Sequence, residues 1–351
     1  MSREVLGPPT QRMSHNRRYR VNVVHDDFGG NKWRSSNNQK ASGYVEPDLY
    51  GEDDYDEDGA DELITELPNG GFKLAMHVPQ SFYGGLIGFK GTTKRRIETE
   101  TQTEIYVPRQ NDNSSELSIK SRERSNCISA WRKIRLLTDS LRKRMRPTHF
   151  LAVPLNSGPV QEAFKELKKS ILEAQLPGID EAFFMPEKCV HLTLGVYVLL
   201  DDNERKRAVE QLESCRQFLA NLGTQLQLTI KGLEIMNDDP SSTKVLYACV
   251  ESPQLQDFAD KCLGHFQSTG LCATDNIDRT SVKLHMTVIN VRYGKESNKK
   301  NESYSFDARE ILKRFGDYDF GTAQCSEVHL CVMKSAKEEE DFYKITGSLK
   351  F

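Results

Sequence analysis

Two apolar runs constrain the fold of this chain more than any other feature. "KCVHLTLGVY" spans residues 188–197 and "SVKLHMTVIN" spans residues 281–290. Each places a histidine two positions before a threonine. In an extended strand, residues i and i+2 share a face. His191 and Thr193 then point one way, Leu192 and Leu194 the other; His285 and Thr287 are likewise opposed to Met286 and Val288. A strand of this kind sets one face in a core and the other along a cleft. The fold must build such a strand twice, about a hundred residues apart.

The surrounding pattern supplies the frame. "THFLAVPL" reads as a strand and "GPVQEAFKELKKSILEAQLPG" as a helix ended by Pro-Gly. "DDNERKRAVEQLESCRQFLANLG", "QLQDFADKCLGHFQSTG" and "DAREILKRFG" read as helices; "LQLTIKGLEIM", "KVLYACVES", "SEVHLCVMK" and "YKITGSLKF" read as strands. The order of elements repeats, which predicts two related α/β lobes of about a hundred residues each. If a pseudo-twofold axis relates the lobes, the two His-x-Thr pairs face each other.

Two opposed imidazoles suit phosphodiester chemistry. A neutral histidine takes a proton from the attacking water or hydroxyl, and a protonated one gives a proton to the leaving oxygen. The threonine hydroxyls would hold the non-bridging oxygens. Lys283, two residues before His285, would add a positive charge on the same face. No metal and no cofactor is called for. The alternative is a pair of strand histidines satisfied by hydrogen bonds. This segment, about 148–351, resembles the 2H phosphoesterases, which include bacterial LigT-type RNA phosphodiesterases. The resemblance implies catalytic roles for His191, Thr193, His285 and Thr287 and a substrate-phosphate role for Lys283. It also implies action on 2′,3′-cyclic phosphates, RNA ends or 2′–5′ linkages, although some members only bind nucleotides. His329, in "VHLCV", lacks the threonine and reads as packing.

The charge is partitioned. Residues 67–147 carry 16 Lys+Arg against 7 Asp+Glu, whereas residues 1–66 and 148–351 are each net −6. A strongly basic block is the footprint of a phosphate-backbone binder. Within it "FKLAMHVP", "TEIYVP" and "SELSIKS" read as strands and "TTKRRIETETQ" as a helix. In "RSNCISAWRKIRLLTDSLRKRM", Ile128, Trp131, Ile134, Leu137, Leu141 and Met145 recur at helical spacing, with Pro147 expected to stop the helix. "IGFKG" contains Gly88 and Gly91, which allow a sharp turn and close backbone approach to a ligand. Lys90, Lys94, Arg95 and Arg96 surround it with cations. Phe89 stacks on a base or tucks into the core; "RKRMR", Arg142–Arg146, is a nuclear-import patch or a solvated helix end. The block resembles a eukaryotic-type KH domain, βααββα, over about Phe72–Met145. In that family the GxxG loop clamps about four single-stranded nucleotides, which implies contacts by Gly88, Phe89, Lys90, Gly91, Lys94, Arg95 and Arg96.

The fold class expected is therefore α+β: a disordered acidic tail (1–66), a KH domain (67–147) and a two-lobed 2H phosphoesterase-like domain (148–351). The tail is Gly/Ser/Asn-rich and then acidic, with little to bury. Its island "RRYRVNVV" holds Arg18, Tyr19, Val21 and Val23, a docking motif or a stretch without a role. The eight cysteines show no CxxC spacing and read as buried, reduced thiols of an intracellular protein. A KH domain followed by a 2H domain, together with "GLEIMNDDP" and "SFDAREILKRF", resembles a family of subunits from a nuclear helicase and transcription-coactivator complex. That resemblance implies a large helicase subunit and single-stranded RNA, or single-stranded DNA, as partners. It also implies a nuclear location, a monomer within the hetero-complex, and roles in coactivation and alkylation-damage response; no apolar run reaches the length that spans a bilayer, so no membrane is expected. Two functions follow: an RNA-end phosphodiesterase, or a subunit that binds RNA or nucleotides without turnover and guides the helicase.

Overall fold

The computed structural model describes residues 10–12, 18–20, 61–68, 70–109, 116–220, 223, 225–273, 279–294, 305–336 and 342–351. Strands β1 (Thr10–Arg12) and β2 (Arg18–Arg20) pair antiparallel with Gln11 opposite Tyr19. The side chains of Arg18 and Tyr19, the whole of Val21 and Val23, and most of the acidic tail lie outside the described residues.

The basic block folds as β4 (Phe72–His77), α1 (Tyr83–Ile87), α2 (Thr92–Thr101), β5 (Glu104–Tyr106), β6 (Glu116–Ser121) and α3 (Arg124–Arg142). This is the expected βααββα order. One strand precedes it: β3 (Ile64–Glu66) pairs with β4, giving the antiparallel order β3-β4-β6-β5. The tail boundary drawn at residue 66 therefore falls too late. A tight turn, closed by the Leu67 amide on the Gly71 carbonyl at 2.7 Å, carries the chain from β3 into β4, and three residues after an acidic run are too few to show alternation.

The helices cover one face of this sheet. Ile128, Trp131 and Ile134 of α3 are buried against Leu74, Ile97, Ile105 and Ile119, while Leu137, Leu141 and Met145 are half-buried on the same core. α3 ends at Arg142 rather than at Pro147. The Arg144 and Met145 amides bond to carbonyls three residues back, so the last turn tightens before the proline is reached.

The remainder contains α4 (Gly158–Glu173), α5 (Asp202–Ser214), α6 (Pro253–Ser268) and α7 (Arg309–Phe315) beside strands β7 (His149–Pro154), β8 (His191–Tyr197), β9 (Leu226–Ile235), β10 (Val245–Glu251), β11 (His285–Asn290), β12 (Asp319–Cys325), β13 (Glu327–Val332) and β14 (Ile345–Lys350). The strands form one antiparallel sheet of order β12-β9-β10-β11-β8-β7-β13-β14. Two four-stranded halves are present, but they are not consecutive segments of chain: β13 and β14 return to flank β7. The halves join where β11 pairs with β8. Strand β12 was not apparent in the sequence. It is an edge strand with only Phe320 and Cys325 buried, and its register slips near Gly321 at φ 85°. Leu192, Leu194, Met286 and Val288 enter a core shared with Phe164 and Leu167 of α4 and Phe258 and Phe266 of α6.

The two folds meet at the start of α5. Arg142 of α3 is buried and its guanidinium binds Glu204 and the Val198 carbonyl. Glu204 also accepts the Leu200 amide at 2.8 Å. Asp201 caps α5 by accepting the Glu204 amide at 2.9 Å and holds His77 Nε2 of β4 at 2.8 Å. Arg142 is thus no part of a solvated basic end.

Candidate active site

β8 begins at His191 and β11 at His285, so both histidines are the first residues of their strands. Met286 pairs with Leu192 in antiparallel register. That register sets His285 opposite Thr193 and Thr287 opposite His191, all four on the face away from the core. The expected pairs are brought together, side by side on the two central strands of one sheet.

The two imidazoles are held alike. His191 Nδ1 donates to the Cys189 carbonyl at 2.6 Å and His285 Nδ1 donates to the Lys283 carbonyl at 2.7 Å. A carbonyl only accepts, so Nδ1 carries the proton in both neutral rings and Nε2 is the nitrogen with the free lone pair. The Thr193 hydroxyl lies 3.1 Å from His191 Nε2.

Their surroundings differ. His191 is buried among aromatic rings, 5.0 Å from Phe150 and 5.3 Å from Tyr343 between centroids. Burial pushes it down to about 4, with the carbonyl bond opposing and nearby His285 adding to the fall. His285 is half-buried, its ring edge-on to Tyr247 at 5.4 Å. Burial lowers it too, helped by the charges of Lys283 and Arg279. Lys283 lies before β11 rather than on it, yet its ammonium sits 4.6 Å over the same Tyr247 ring. The Tyr247 hydroxyl donates to Glu234 of β9. His329 lies apart on β13, its Nδ1 2.7 Å from the Ser348 hydroxyl.

Phe150, Tyr343, Tyr247, Glu234 and Arg279 were missed in the sequence. Only Tyr247 left a signal there: in "KVLYACVES" it alternates with Leu246 and Ala248, and it pairs with Thr287 on the cleft face.

In the KH fold the glycine turn is built as its residues require. Gly88 has φ 72°, and a Cβ there would lie 2.2 Å from the Thr93 hydroxyl. Lys90 and Gly91 also take positive φ, 50° and 80°, before α2 starts at Thr92. Phe89 is 79 % exposed, which excludes the core. Of the cations, Lys94 pairs with Glu98 at 3.2 Å and Arg96 with Glu100 at 4.0 Å. Arg95 is exposed with its guanidinium close to Gly91. A bound phosphate would meet the turn, the first turn of α2 and Arg95 together.

The model of the AKAP7 2′5′ RNA ligase-like domain matches residues 147–351, and that of the KH domain matches residues 73–136. Mouse activating signal cointegrator 1 complex subunit 1 is 34 % identical over 290 residues, 76 % of this chain and 80 % of the relative. Human A-kinase anchor protein 7 isoform gamma is 22 % identical over 210 residues, 59 % of this chain and 58 % of the relative. The crystal structure of E. coli LigT complexed with 3′-AMP is 13 % identical, aligns with 54 % of this chain and 90 % of that one, and has a TM-score of 0.31. A KH domain and a 2′5′ RNA ligase-like domain thus stand in one chain, which belongs to the AKAP7 2′5′ RNA ligase-like family and, within it, with the activating signal cointegrator 1 complex subunit 1 proteins.

Proposed function

We propose that this chain is an RNA-binding subunit whose 2H-type site hydrolyses a phosphodiester at an RNA end. The observation that carries the reading is the shared pinning of His191 and His285, each by Nδ1 to a carbonyl two residues earlier. Both Nε2 atoms are left for chemistry on one cleft face. His191, the more deeply buried, is neutral over the working range and takes the proton of water. The water oxygen forms the new P–O bond, and the bond to the leaving ribose oxygen breaks. His285 Nε2–H gives that oxygen its proton. Thr193 and Thr287 hold the non-bridging oxygens. Water plus a cyclic diester gives a monoester and a free hydroxyl, so the balance closes with the two histidines exchanging roles. The KH loop, with Gly88, Phe89, Lys90, Gly91 and Arg95, holds the strand.

A second reading is binding without turnover. It is favoured by the lowering of both imidazoles, which leaves the free chain without a protonated donor at neutral pH. The test uses RNAs ending in 2′,3′-cyclic phosphate, with chelator present and binding and product both followed. Product from the wild type and none from His191→Ala/His285→Ala supports the phosphodiesterase; binding without product supports the alternative.

We propose further that the chain acts in the nucleus within the activating signal cointegrator complex, in coactivation and the response to alkylation damage; the relative's name as a subunit of that complex supports the membership. The large helicase subunit is its partner there, and the segment of Arg18, Tyr19, Val21 and Val23 is the docking motif. Deleting residues 17–24 should abolish capture of the helicase; undiminished capture would contradict the assignment.

A further inference from the structure

The segment before β11 carries more positive charge than one phosphodiester can use. Arg279, Ser281, Lys283, His285 and Met236 line a cleft of about 420 Å³. Its rim is fixed from behind by α6. Asp260 accepts the Val282 amide at 2.7 Å and the Ser281 hydroxyl at 3.1 Å. Gln256 donates to the Val282 carbonyl at 2.8 Å and Gln267 to the Arg279 carbonyl at 2.7 Å. Among the described residues neither Arg279 nor Lys283 is paired with a carboxylate. Both lie close enough to His285 to oppose its protonation.

A diester phosphate carries one negative charge. The protonated His285 and the two threonine hydroxyls already answer it. Two further cations on a rigid rim are left, in a cleft wider than one phosphate, with half-exposed Met236 offering apolar contact beside them. We infer that residues 279–283 form a subsite for a second phosphate of the ligand, so that the site takes a two-phosphate RNA end in preference to a mononucleotide monophosphate. This deepens the phosphodiesterase reading and rests on it for the placement of the first phosphate at the histidines. A second phosphate arises from the neighbouring internucleotide link or from a 5′-phosphate on the same nucleotide; both present the same dianionic or monoanionic oxygens to Arg279 and Lys283.

The experiment is equilibrium binding to the full chain at fixed ionic strength. Three probes are compared: adenosine 3′-monophosphate, adenosine 3′,5′-bisphosphate and the dinucleotide ApAp. All are shorter than the roughly four nucleotides a KH groove holds. The wild type should bind at least one two-phosphate probe about tenfold or more tighter than the monophosphate. Which one identifies the source of the second phosphate. Arg279→Gln/Lys283→Gln should remove that preference, and Asp260→Ala, which removes the acceptor of the Val282 amide and the Ser281 hydroxyl, should reduce it. Equal affinity for all probes in the wild type, an unchanged preference in the double variant, or an equal loss for all three probes would overturn the subsite. Product from RNA ends is scored separately: preference without product keeps the subsite and removes the chemistry, and product without preference does the reverse.

Discussion

At the scale of single residues, one hydrogen bond decides the chemistry of each imidazole. The carbonyls of Cys189 and Lys283 fix the tautomer, and burial sets the charge. The pH dependence follows with a definite sign. For the proposed hydrolysis His191 has to be neutral, which it is above about 4. His285 must be protonated, which it ceases to be as pH rises through a value below its ordinary 6.5. kcat/KM, which reports the free chain, should therefore peak in mildly acid solution and fall through neutrality. A profile that is flat from about pH 5 to 8 would contradict the assignment. Stability follows from the same shifts. His191 and His149 are both held near 4 by burial, so between 6.5 and 4 the unfolded chain binds protons that the folded chain refuses. Thermal midpoints should fall as pH drops through that window and stop falling from this cause below it. Asparagine at 191 should shrink the fall.

At the scale of elements, legibility followed periodicity. The two half-buried strands and α3 were readable because one face of each is apolar at a fixed period. β12 was not, because an edge strand buries too little to write a pattern. Tyr343 and Phe150 were not, because nothing local records that distant segments close around His191. The glycine turn was readable as a turn, and its energetics are now specific. Gly88→Asp should clash with Thr93 and strain a positive φ, distorting the start of α2 and weakening single-stranded RNA binding at least tenfold. Unchanged binding would place the RNA elsewhere. Arg95→Ala should weaken binding evenly across sequences and lower the salt slope by about one, measured by titration at several salt concentrations.

At the scale of the molecule, a buried ion pair joins the KH fold to the 2′5′ RNA ligase-like fold. Sequence reading left Arg142 open as an import patch or a solvated helix end, because burial within a run of cations has no local sign. The bond to Glu204 makes it a domain contact instead. Arg142→Ala leaves Glu204 buried and unpaired, a cost of roughly 3–5 kcal/mol. The expected result is a lower unfolding midpoint and separate tumbling of the two folds by NMR relaxation; joint tumbling with an unchanged midpoint would show that the pair does not hold the junction.

The central claim is that His191 and His285 are two halves of one acid–base site. It is tested most directly by a double-mutant cycle on RNA ends with chelator present, using His191→Ala, His285→Ala and both together. Groups that act on one reaction step are strongly non-additive. Each single change should cost on the order of a hundredfold or more in kcat, and the double change little more than the worse single one. Losses that multiply, or a single variant that keeps full activity, would contradict a shared site.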